Sequence, residues 1–395
     1  MSPLYFDYNA TTPLLPEVLE AMQPFWMDSF GNPSSIHQAG QGVARAIKEA
    51  RKQVAFLLGA QDAREIIFTS GGTESNNTAI RAILAHAGAK REIVTSQVEH
   101  SSILKLFRQL EKEGYQPRFV GVDSQGRFDL EELKRTLSDQ TALVSLMMSN
   151  NETGVLMPVE AAGKIIKAHG IPFHVDAVQS AGKQVIDLKQ STIDYLSISA
   201  HKLYGPKGVG ALYARQGRPY QSFIFGGGQE RGRRAGTENV PGIVGMGAAS
   251  RYIREHLAAE IAHVRQLRDS FEKRVAEKIP NVFINGGEAE RLPNTSDLGF
   301  EGVDGEALLF ALDQKDIWVS SGSACLSGAR EPSHVLKAMG LSDEQANASL
   351  RFSFGHGTQL PELDAAVQVI DQVVRSLRQT DLAAQHVHTI EETES

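Results

Sequence analysis

A single cysteine, Cys325, occurs among the 395 residues of the chain, so no disulfide can form within it. Long apolar runs are also missing, because no stretch approaches the about 18 uninterrupted apolar residues of a membrane span. The first residues, MSPLYFDYNATTP, lack the positively charged segment and apolar run of a secretory signal. These absences predict a cytoplasmic protein without disulfides or a membrane anchor.

Positive charge is in short supply as well. The chain has 40 lysines and arginines against 47 aspartates and glutamates, a formal net charge of −7. Nucleic-acid binding usually needs a basic surface that contacts phosphates, so this balance argues against direct nucleic-acid binding. The length and the hydrophobic fraction of 41% are sufficient for a large core and two domains.

Short apolar runs alternate with helix-length segments through the first two-thirds of the chain. This alternation predicts an α/β fold with a mainly parallel sheet covered by helices on both faces. Ligands of such sheets bind at the carboxyl ends of the strands, so functional residues should follow the strands. The predicted strands are 65–70, 92–96, 142–149, 173–178, 195–200 and 208–214.

The pattern changes after Pro241 and Gly242. Residues 250–279 have the periodicity of one long amphipathic helix, which could bridge two domains. The segment after it is predicted to form a smaller α+β unit. The predicted boundaries are 13–256 for the large domain, 1–12 and 257–379 for the small domain, and 380–395 for a flexible polar tail.

Lys202 leaves a predicted strand and enters a turn rich in glycine and proline, SAHKLYGPKG. A lysine held just past a buried strand is partly desolvated, which lowers the pKa of its amine and makes the amine nucleophilic. Such an amine suits Schiff-base chemistry. Taken alone, Lys202 fits a solvated turn lysine better.

Asp176 ends the predicted strand 173–178, twenty-six positions before Lys202. Enzymes that use pyridoxal 5'-phosphate (PLP) need a carboxylate against the pyridinium nitrogen, which keeps the ring protonated and able to accept electrons. Gln179, three positions later, could donate a hydrogen bond to the phenolic oxygen of the ring. Taken alone, Asp176 fits a helix cap better.

The segment TSGGTESNN at 69–77 joins a predicted strand to a predicted helix. Gly71 and Gly72 allow a ligand to approach the backbone closely, and the helix N terminus favours an anion such as a phosphate. Thr73 adds a hydroxyl. His100 follows another strand and could stack on a ring or exchange protons with a substrate. Each feature is common by itself, but their succession at strand ends favours a PLP site.

Cys325 lies in VSSGSACLSGAR, a segment of small residues and glycines. Most lone cysteines are buried small hydrophobic residues. This composition instead predicts an accessible loop and a reactive thiol. A thiol on such a loop could reach a substrate sulfur and then carry it outward to an acceptor.

Eight blocks of the sequence resemble the signature blocks of cysteine desulfurases, and in particular the NifS/IscS group of the class-V aminotransferase family. The resemblance extends over about residues 4 to 375. The blocks are DYNATT (7–12), GNPSSIHQAG (31–40), FTSGGTESNN (68–77), NNETGVLMP (150–158), HVDAVQSAGK (174–183), SAHKLYGPKGVGALY (199–213), GGGQERGRRAGTEN (226–239) and SSGSACLSG (320–328).

The resemblance implies the PLP-dependent transferase fold type I, with a mainly parallel seven-stranded sheet in the large domain and a smaller α+β domain. It also implies a homodimer with active sites at the subunit interface. It assigns the Schiff base to Lys202 and the pyridinium partner to Asp176. It also implies ring contacts for His100 and Gln179, and phosphate contacts for Gly72, Thr73, Ser199 and His201. Thr237 would contact the phosphate bound in the other subunit. Asn151 and Arg351 would contact the substrate, and Asn151 would contact the cofactor as well.

The implied reaction takes sulfur from L-cysteine and gives L-alanine and a persulfide on Cys325. In this hypothesis Lys202 removes the Cα proton, Arg351 binds the substrate carboxylate, and the Cys325 thiolate attacks the substrate sulfur. An acceptor such as an iron–sulfur scaffold would then take the sulfur. Leu326 stands where the family usually has threonine, which leaves the acceptor open, and EPSHVLKAMG (331–340) resembles the nitrogenase-associated NifS type.

Two other hypotheses stay open from the sequence. An aminotransferase or a cysteine β-lyase on the same fold would use Lys202 but not Cys325. A sulfur carrier without catalysis would have no Schiff base and would be colourless. No motif predicts a resident metal site, and the sequence does not decide whether Cys325 ligates an iron–sulfur cluster during transfer or whether selenocysteine is a substrate.

Overall fold

A computed structural model describes residues 3–322 and 331–393, with side chains described as far as residue 380. Its strands are β1 (Leu4–Tyr5), β2 (Ile66–Thr69), β3 (Glu92–Ser96), β4 (Gln116–Val120), β5 (Thr141–Met147), β6 (Phe173–Asp176), β7 (Tyr195–Ser199), β8 (Gly210–Ala214), β9 (Val282–Ile284), β10 (Thr295–Phe300), β11 (Ile317–Trp318) and β12 (Ser349–Ser353).

The helices alternate with these strands through most of the chain. They are α1 (Pro16–Met22), α2 (Pro24–Met27), α3 (Gln38–Leu57), α4 (Gly72–Leu84), α5 (Ser101–Lys112), α6 (Leu130–Thr136), α7 (Val159–Ala168), α8 (Gln229–Gly232), α9 (Val240–Lys278), α10 (Gly305–Asp313), α11 (His334–Ala338), α12 (Asp343–Asn347) and α13 (Leu360–Thr393).

The main sheet has seven strands in the order β2-β8-β7-β6-β5-β3-β4. Strands β3 to β7 pair in parallel, and β8 runs antiparallel to both β7 and β2. Strand β2 therefore runs in the same direction as β7, and the carboxyl ends of β2, β5, β6 and β7 lie along one edge. The predicted α/β fold with a mainly parallel seven-stranded sheet is confirmed.

Helices cover the main sheet on both faces, which explains why its central strands are buried throughout. Helices α4 and α5 pack on one face, where Ile83 and Phe107 are buried with Leu143. A larger core, which includes residues of α3, α7 and α9, contains Val54 and Met246. With both faces covered, every residue of β5 is buried.

A second, smaller unit is built on the antiparallel sheet β12-β10-β9. The C-terminal half of α9 and helix α13 pack against it. Its core includes Phe271 of α9 and Phe352 of β12, whose ring centroids lie 4.9 Å apart. Near the N terminus, β1 pairs in parallel with β11, so the first residues of the chain belong to this unit.

Three details differ from the sequence prediction. Helix α9 begins at Val240, so the predicted start at residue 250 was wrong. Strand β4 was not predicted. Helix α13 continues to Thr393, so the segment 380–395, which we predict to be flexible, begins as helix. The domain boundaries stay a prediction. Among the described residues, no helix is long and apolar enough to cross a membrane.

Candidate active site

A cavity of about 330 Å³ lies at the carboxyl ends of β5, β6 and β7, beside the N terminus of α4. Binding sites for small molecules commonly have volumes of about 300–1,000 Å³. Most of the site residues named from the sequence line this one cavity, although they are far apart in the chain. They are Gly72, Thr73, His100, Asn151, Asp176, Gln179, Ser199, His201, Lys202 and Arg351.

Lys202 follows β7 at the end of a short 3₁₀ turn and points into the cavity. Its Nζ donates to the carbonyl oxygens of Asn9 at 2.5 Å and Ala10 at 2.7 Å. Burial lowers the pKa of the Lys202 amine to about 8, and the charge of Arg351 lowers it further, against opposing effects from Asp7 and Asp176. A fraction of this amine is therefore neutral and nucleophilic near pH 7.

Asp176 ends β6 with its carboxylate buried at the cavity wall. One oxygen accepts from Asn76 Nδ2 at 2.7 Å, and the other accepts from the Val178 backbone N–H at 2.9 Å. These two donors fix the orientation of the carboxylate. A carboxylate held in this way suits a protonated ring nitrogen.

The N terminus of α4 forms the side of the cavity where an anion would bind. A Cβ atom added to Gly72 would lie 2.7 Å from Cγ2 of Val178, so only glycine allows this close approach of α4 to the turn after β6. Glu74 in the first turn is directed away by an ion pair with Arg234 at 2.9 Å. No described side chain caps this N terminus, so the first N–H groups of α4 are left for a ligand anion.

His100 caps the N terminus of α5. Its Nδ1 accepts from the Ser102 backbone N–H at 3.1 Å and lies 2.8 Å from Ser102 Oγ. Burial lowers the pKa of the imidazole, and the charge of Lys202 contributes, whereas Asp176 opposes the shift. A neutral ring whose Nδ1 accepts a hydrogen bond carries its proton on Nε2, so His100 can donate from that nitrogen.

His201 also has a neutral ring. Burial lowers the pKa of its imidazole to about 4, with further lowering from Lys202, Lys207 and Lys183. The Nδ1 atom lies 3.2 Å from Thr11 Oγ1, and the backbone carbonyl accepts from Thr12. His201 therefore adds no positive charge beside Lys202 at neutral pH.

Arg351 reaches the cavity from β12 of the smaller sheet and is 7% exposed. Its guanidinium donates to the Asn151 carbonyl at 3.0 Å and to Asp7 Oδ1 at 2.8 Å. Ser320 Oγ donates to the other oxygen of Asp7 at 2.9 Å. Arg351 Nε is buried without a hydrogen-bond partner among the described residues, so the group retains a donor for a further anion.

Among the described residues, one predicted site residue, Thr237, does not line this cavity. Thr237 is exposed and lines a separate cavity of about 170 Å³ next to β2, together with Glu230 and Arg234. Its contact with the other subunit stays a prediction. Cys325 lies outside the described residues. Within the described ranges, no group of three or more histidine, cysteine or acidic side chains could hold a metal ion.

Asn9 and Asn76 also contribute to the site, although neither was predicted from the sequence. Asn9 is 1% exposed, and its Nδ2 donates to Thr295 Oγ1 at 2.9 Å while its carbonyl accepts from Lys202. Asn76 holds Asp176. Asn9 lies in the block DYNATT and Asn76 in the block FTSGGTESNN. Both blocks contain more polar residues than a turn requires, and this excess could have indicated that the two asparagines belong to the site.

Comparisons with known proteins identify the family of the chain. The family model for aminotransferase class-V matches residues 4–365. The cysteine desulfurase of Nostoc sp. is 49% identical over 378 residues, which are 96% of this chain and 94% of that protein. The cysteine desulfurase NifS of Azotobacter vinelandii is 44% identical over 96% of this chain and 94% of its own length.

Solved structures give the same result. A NifS-like protein superposes with a TM-score of 0.89 at 37% identity, covering 95% of this chain and 100% of that one. A structure of SspA in complex with cysteine has a TM-score of 0.80 at 38% identity, covering 89% of this chain and 99% of that one. The chain therefore belongs to the class-V aminotransferase family and, within it, to the cysteine desulfurases of the NifS/IscS type.

Proposed function

We propose that the protein uses PLP, held in the cavity beside Lys202, to take sulfur from L-cysteine, releasing L-alanine and leaving a persulfide on Cys325. One observation carries this proposal: the Lys202 amine, the Asp176 carboxylate and the free N terminus of α4 surround a single cavity. A Schiff-base amine, a partner for a pyridinium nitrogen and a phosphate site are the three groups that PLP requires. The desulfurase relatives and the SspA complex with cysteine support the substrate.

The described residues fit PLP in shape and charge. Gly72 at the start of α4 lines the cavity together with Thr73 and Ser199, and we assign the phosphate to this wall. Asp176 would pair with the ring nitrogen, and Lys202 would bind the cofactor covalently. When bound, PLP supplies an electron sink for the charge that develops at the substrate Cα.

Lys202 and His100 would move the protons of the reaction. The lowered pKa of Lys202 lets the released amine take the Cα proton near neutral pH. Two backbone carbonyls, of Asn9 and Ala10, hold Nζ in place without neutralising it. The neutral His100 ring, which lines the same cavity, can donate a proton from its Nε2.

Arg351 would bind the substrate carboxylate. Its guanidinium already contacts Asp7, and a carboxylate ligand would make charge-assisted hydrogen bonds that compete with this ion pair. Asn151 lines the same wall and is our other substrate contact. Because Arg351 belongs to β12 of the smaller sheet and Asn151 follows β5 of the main sheet, substrate binding would engage both units.

The sulfur step would use Cys325 as the nucleophile. Its thiolate attacks the substrate sulfur, so that an S–S bond forms and the Cβ–S bond of the substrate breaks. Two protons complete the alanine methyl group and the terminal persulfide, and the sum L-cysteine plus thiol gives L-alanine plus persulfide. No external oxidant is needed, because the oxidation of sulfur balances the reduction at Cβ.

We further propose a homodimer in which Thr237 completes the phosphate site of the partner subunit. Several large apolar side chains are exposed on the segment 24–36 and near residue 225, among them Phe30 at 80% and Ile36 at 95%. Exposed apolar groups on this scale favour a protein interface. Thr237 lies between α8 and the start of α9, and α2 also contacts α9, so both segments lie beside this helix.

The sulfur acceptor is proposed to be an iron–sulfur cluster scaffold. This proposal rests on the relative named NifS in Azotobacter vinelandii and on the block at 331–340. Transfer of radioactive sulfur from L-cysteine to a cysteine-containing scaffold would support it. Transfer only to a small thiol would argue for another acceptor.

The test of the proposed function is turnover of L-cysteine in the presence of a reducing thiol. Wild-type protein should give alanine and sulfide in equal amounts. Cys325→Ser should bind PLP but give neither product, and Lys202→Ala should lose at least about 100-fold in rate, since it lacks both the base and the covalent attachment. Lys189→Ala, which changes an exposed lysine of the same domain, is the matched control.

Other products would identify the alternatives. Pyruvate and ammonia in place of alanine would indicate a β-lyase. Normal turnover of cysteine by Cys325→Ser would contradict the persulfide step. A colourless wild-type protein that binds no PLP would contradict the proposed function as a whole.

A further inference from the structure

Lys183 is an enclosed amine close to the cavity, and both of its acceptors belong to Gln179. Its Nζ donates to the Gln179 carbonyl at 3.1 Å and to the side-chain oxygen Oε1 at 3.3 Å. Among the described residues, no carboxylate forms an ion pair with it. Burial lowers the pKa of Lys183 to about 7, and the positive charges of Lys202 and Arg351 lower it further.

These bonds determine which way the Gln179 amide faces. Because Oε1 is turned to Lys183, the NH₂ group is turned to the Asn9 carbonyl, to which it donates at 3.0 Å. The oxygen and nitrogen of an amide have nearly the same shape, so only their hydrogen-bond partners distinguish the two orientations. A lysine amine donates both when charged and when neutral, so it favours this orientation on either side of its pKa.

The two lysines are also connected. The Asn9 carbonyl that accepts from Gln179 accepts from Lys202 Nζ at 2.5 Å as well. Lys183 and Lys202 also border a second, smaller cavity, which Glu260 lines as well. Its volume of about 20 Å³ is large enough for about one water. The charged groups around Lys183 are therefore Lys202, Arg351 and, across this small cavity, Glu260.

We propose that Lys183 is a positioning residue that orients the Gln179 amide, so that its NH₂ group is available to the phenolic oxygen of bound PLP. The inference rests on the proposed function, which places PLP against Gln179 and Lys202. A donor at the phenolic oxygen stabilises the deprotonated form of the bound chromophore and lowers its pKa. Loss of the Lys183 anchor should therefore raise that pKa, although Lys183 itself does not touch the cofactor.

The experiment follows the visible absorption of the PLP-bound protein from about pH 6 to about pH 10. Lys183→Met removes the donor and should raise the titration midpoint by roughly half a unit or more. Lys183→Arg keeps a donor and should restore a midpoint close to the wild-type value. If Lys183→Met does not fold, Lys183→Ala, which leaves room for water, replaces it and should also raise the titration midpoint.

A double-mutant cycle with Gln179→Ala tests whether Lys183 acts through Gln179. Gln179→Ala should raise the midpoint by itself, and Lys183→Met should add nothing further in that background. Additive shifts would mean that Lys183 acts on the chromophore directly, and an unchanged midpoint in Lys183→Met would mean that it does not act at all. Either result overturns the proposal.

Failure of the proposed function would look different. If the wild-type protein showed no visible band after incubation with PLP, the assignment of Lys202 would be wrong, and the inference on Lys183 would be wrong with it. A wild-type band with a midpoint that no Lys183 variant moves would leave the proposed function intact and reject only the role of Lys183.

Discussion

Glu99, the residue before His100, is fully buried beneath the site and was not identified from the sequence. Its Oε1 accepts from Ser96 Oγ at 2.6 Å and from the Met147 backbone N–H at 2.9 Å. Its Oε2 has no partner among the described residues. Burial raises the pKa of Glu99 to about 8, and the Asp176 charge adds to this effect, so the side chain is mostly a neutral acid at pH 7.

This protonation makes the stability of the protein depend on pH. The folded-state pKa of about 8 lies above the unfolded value of about 4.3, so the folded chain binds more protons between these values. The contribution of Glu99 is complete below about pH 4 and is lost as the pH rises through about 8. In Glu99→Gln the amide oxygen can still accept both hydrogen bonds, but the side chain does not ionise. The variant should therefore not lose this stability as the pH rises.

The prediction is measured by urea unfolding of Glu99→Gln and wild type at several pH values from about 5 to about 8. The free energy of unfolding of the variant should rise relative to wild type by roughly a few kcal/mol across this range. Glu111→Gln, at an exposed position on α5, is the control and should follow the wild type. If the free energy of unfolding changed with pH in the same way for Glu99→Gln and wild type, Glu99 would be ionised in the folded protein.

Single residues were predicted from the sequence where a chemical requirement follows a strand. Lys202, Asp176 and Gly72 were found in this way, because the carboxyl ends of neighbouring strands meet at one edge of the sheet. Asn9 and Lys183 were not, because their role consists of contacts to other polar residues. Asn9 connects the N-terminal segment to Lys202, which lies 193 positions away, and no local pattern indicates a contact at that separation.

Among the secondary-structure elements, α8 is anchored to α3 by a buried ion pair. Glu230 accepts from Arg51 of α3 at 2.5 Å and 2.7 Å, and from the Phe68 backbone N–H of β2 at 3.0 Å. Glu230 and Arg231 have positive φ values of 49° and 60°, a backbone conformation that costs non-glycine residues about 1–2 kcal/mol each. The buried bonds offset this strain.

Glu230→Gln should therefore destabilise the protein strongly. It leaves the Arg51 guanidinium buried without its charge partner, a change that typically costs about 3–5 kcal/mol. Glu49→Gln, which breaks an exposed ion pair with Lys52 on the same helix α3, should cost less than about 1 kcal/mol. Urea unfolding measures both. Equal, small losses in the two variants would mean that the buried pair does not anchor α8.

The elements themselves were predicted well where burial dominates and poorly where packing overrides local preference. Six strands of the main sheet were placed within a few residues, but β4, an edge strand with exposed polar residues and Pro117, lacks an apolar run. The first turns of α9 contain glycines that indicated a break. In the structure these glycines permit close contact, since a Cβ at Gly247 would lie 2.6 Å from Ala50 of α3.

At the scale of the whole molecule, the site is assembled from both structural units. The main sheet supplies Lys202 and Asp176, and the smaller sheet brings Arg351 to the same cavity. The sequence predicted two units and a connecting helix, but it could not predict how they dock, because the docking depends on contacts between distant residues such as Asn151 and Arg351. Cytoplasmic location and the domain boundaries stay predictions.

The dimer is testable through mixed subunits, because our proposal places Lys202 and Thr237 of one active site on different chains. Lys202→Ala should abolish turnover, and Thr237→Glu should do so by placing a carboxylate against the phosphate of PLP. Neither homodimer would be active. A mixed dimer would have one site carrying both substitutions and one site carrying neither, so mixing the two variants under conditions of subunit exchange should restore part of the activity.

The same mixture distinguishes the alternatives. If Thr237 served the cavity of its own chain, each chain of the mixed dimer would carry one defect in its own site, and no activity would return. Adding Phe30→Asp and Ile36→Asp to both variants should also prevent recovery, because charges on these exposed apolar positions oppose the interface. Phe310→Asp, at an exposed position of α10 in the smaller unit, should leave recovery intact. If activity recovered with Phe30→Asp and Ile36→Asp but was lost with Phe310→Asp, the interface would lie on the smaller unit instead.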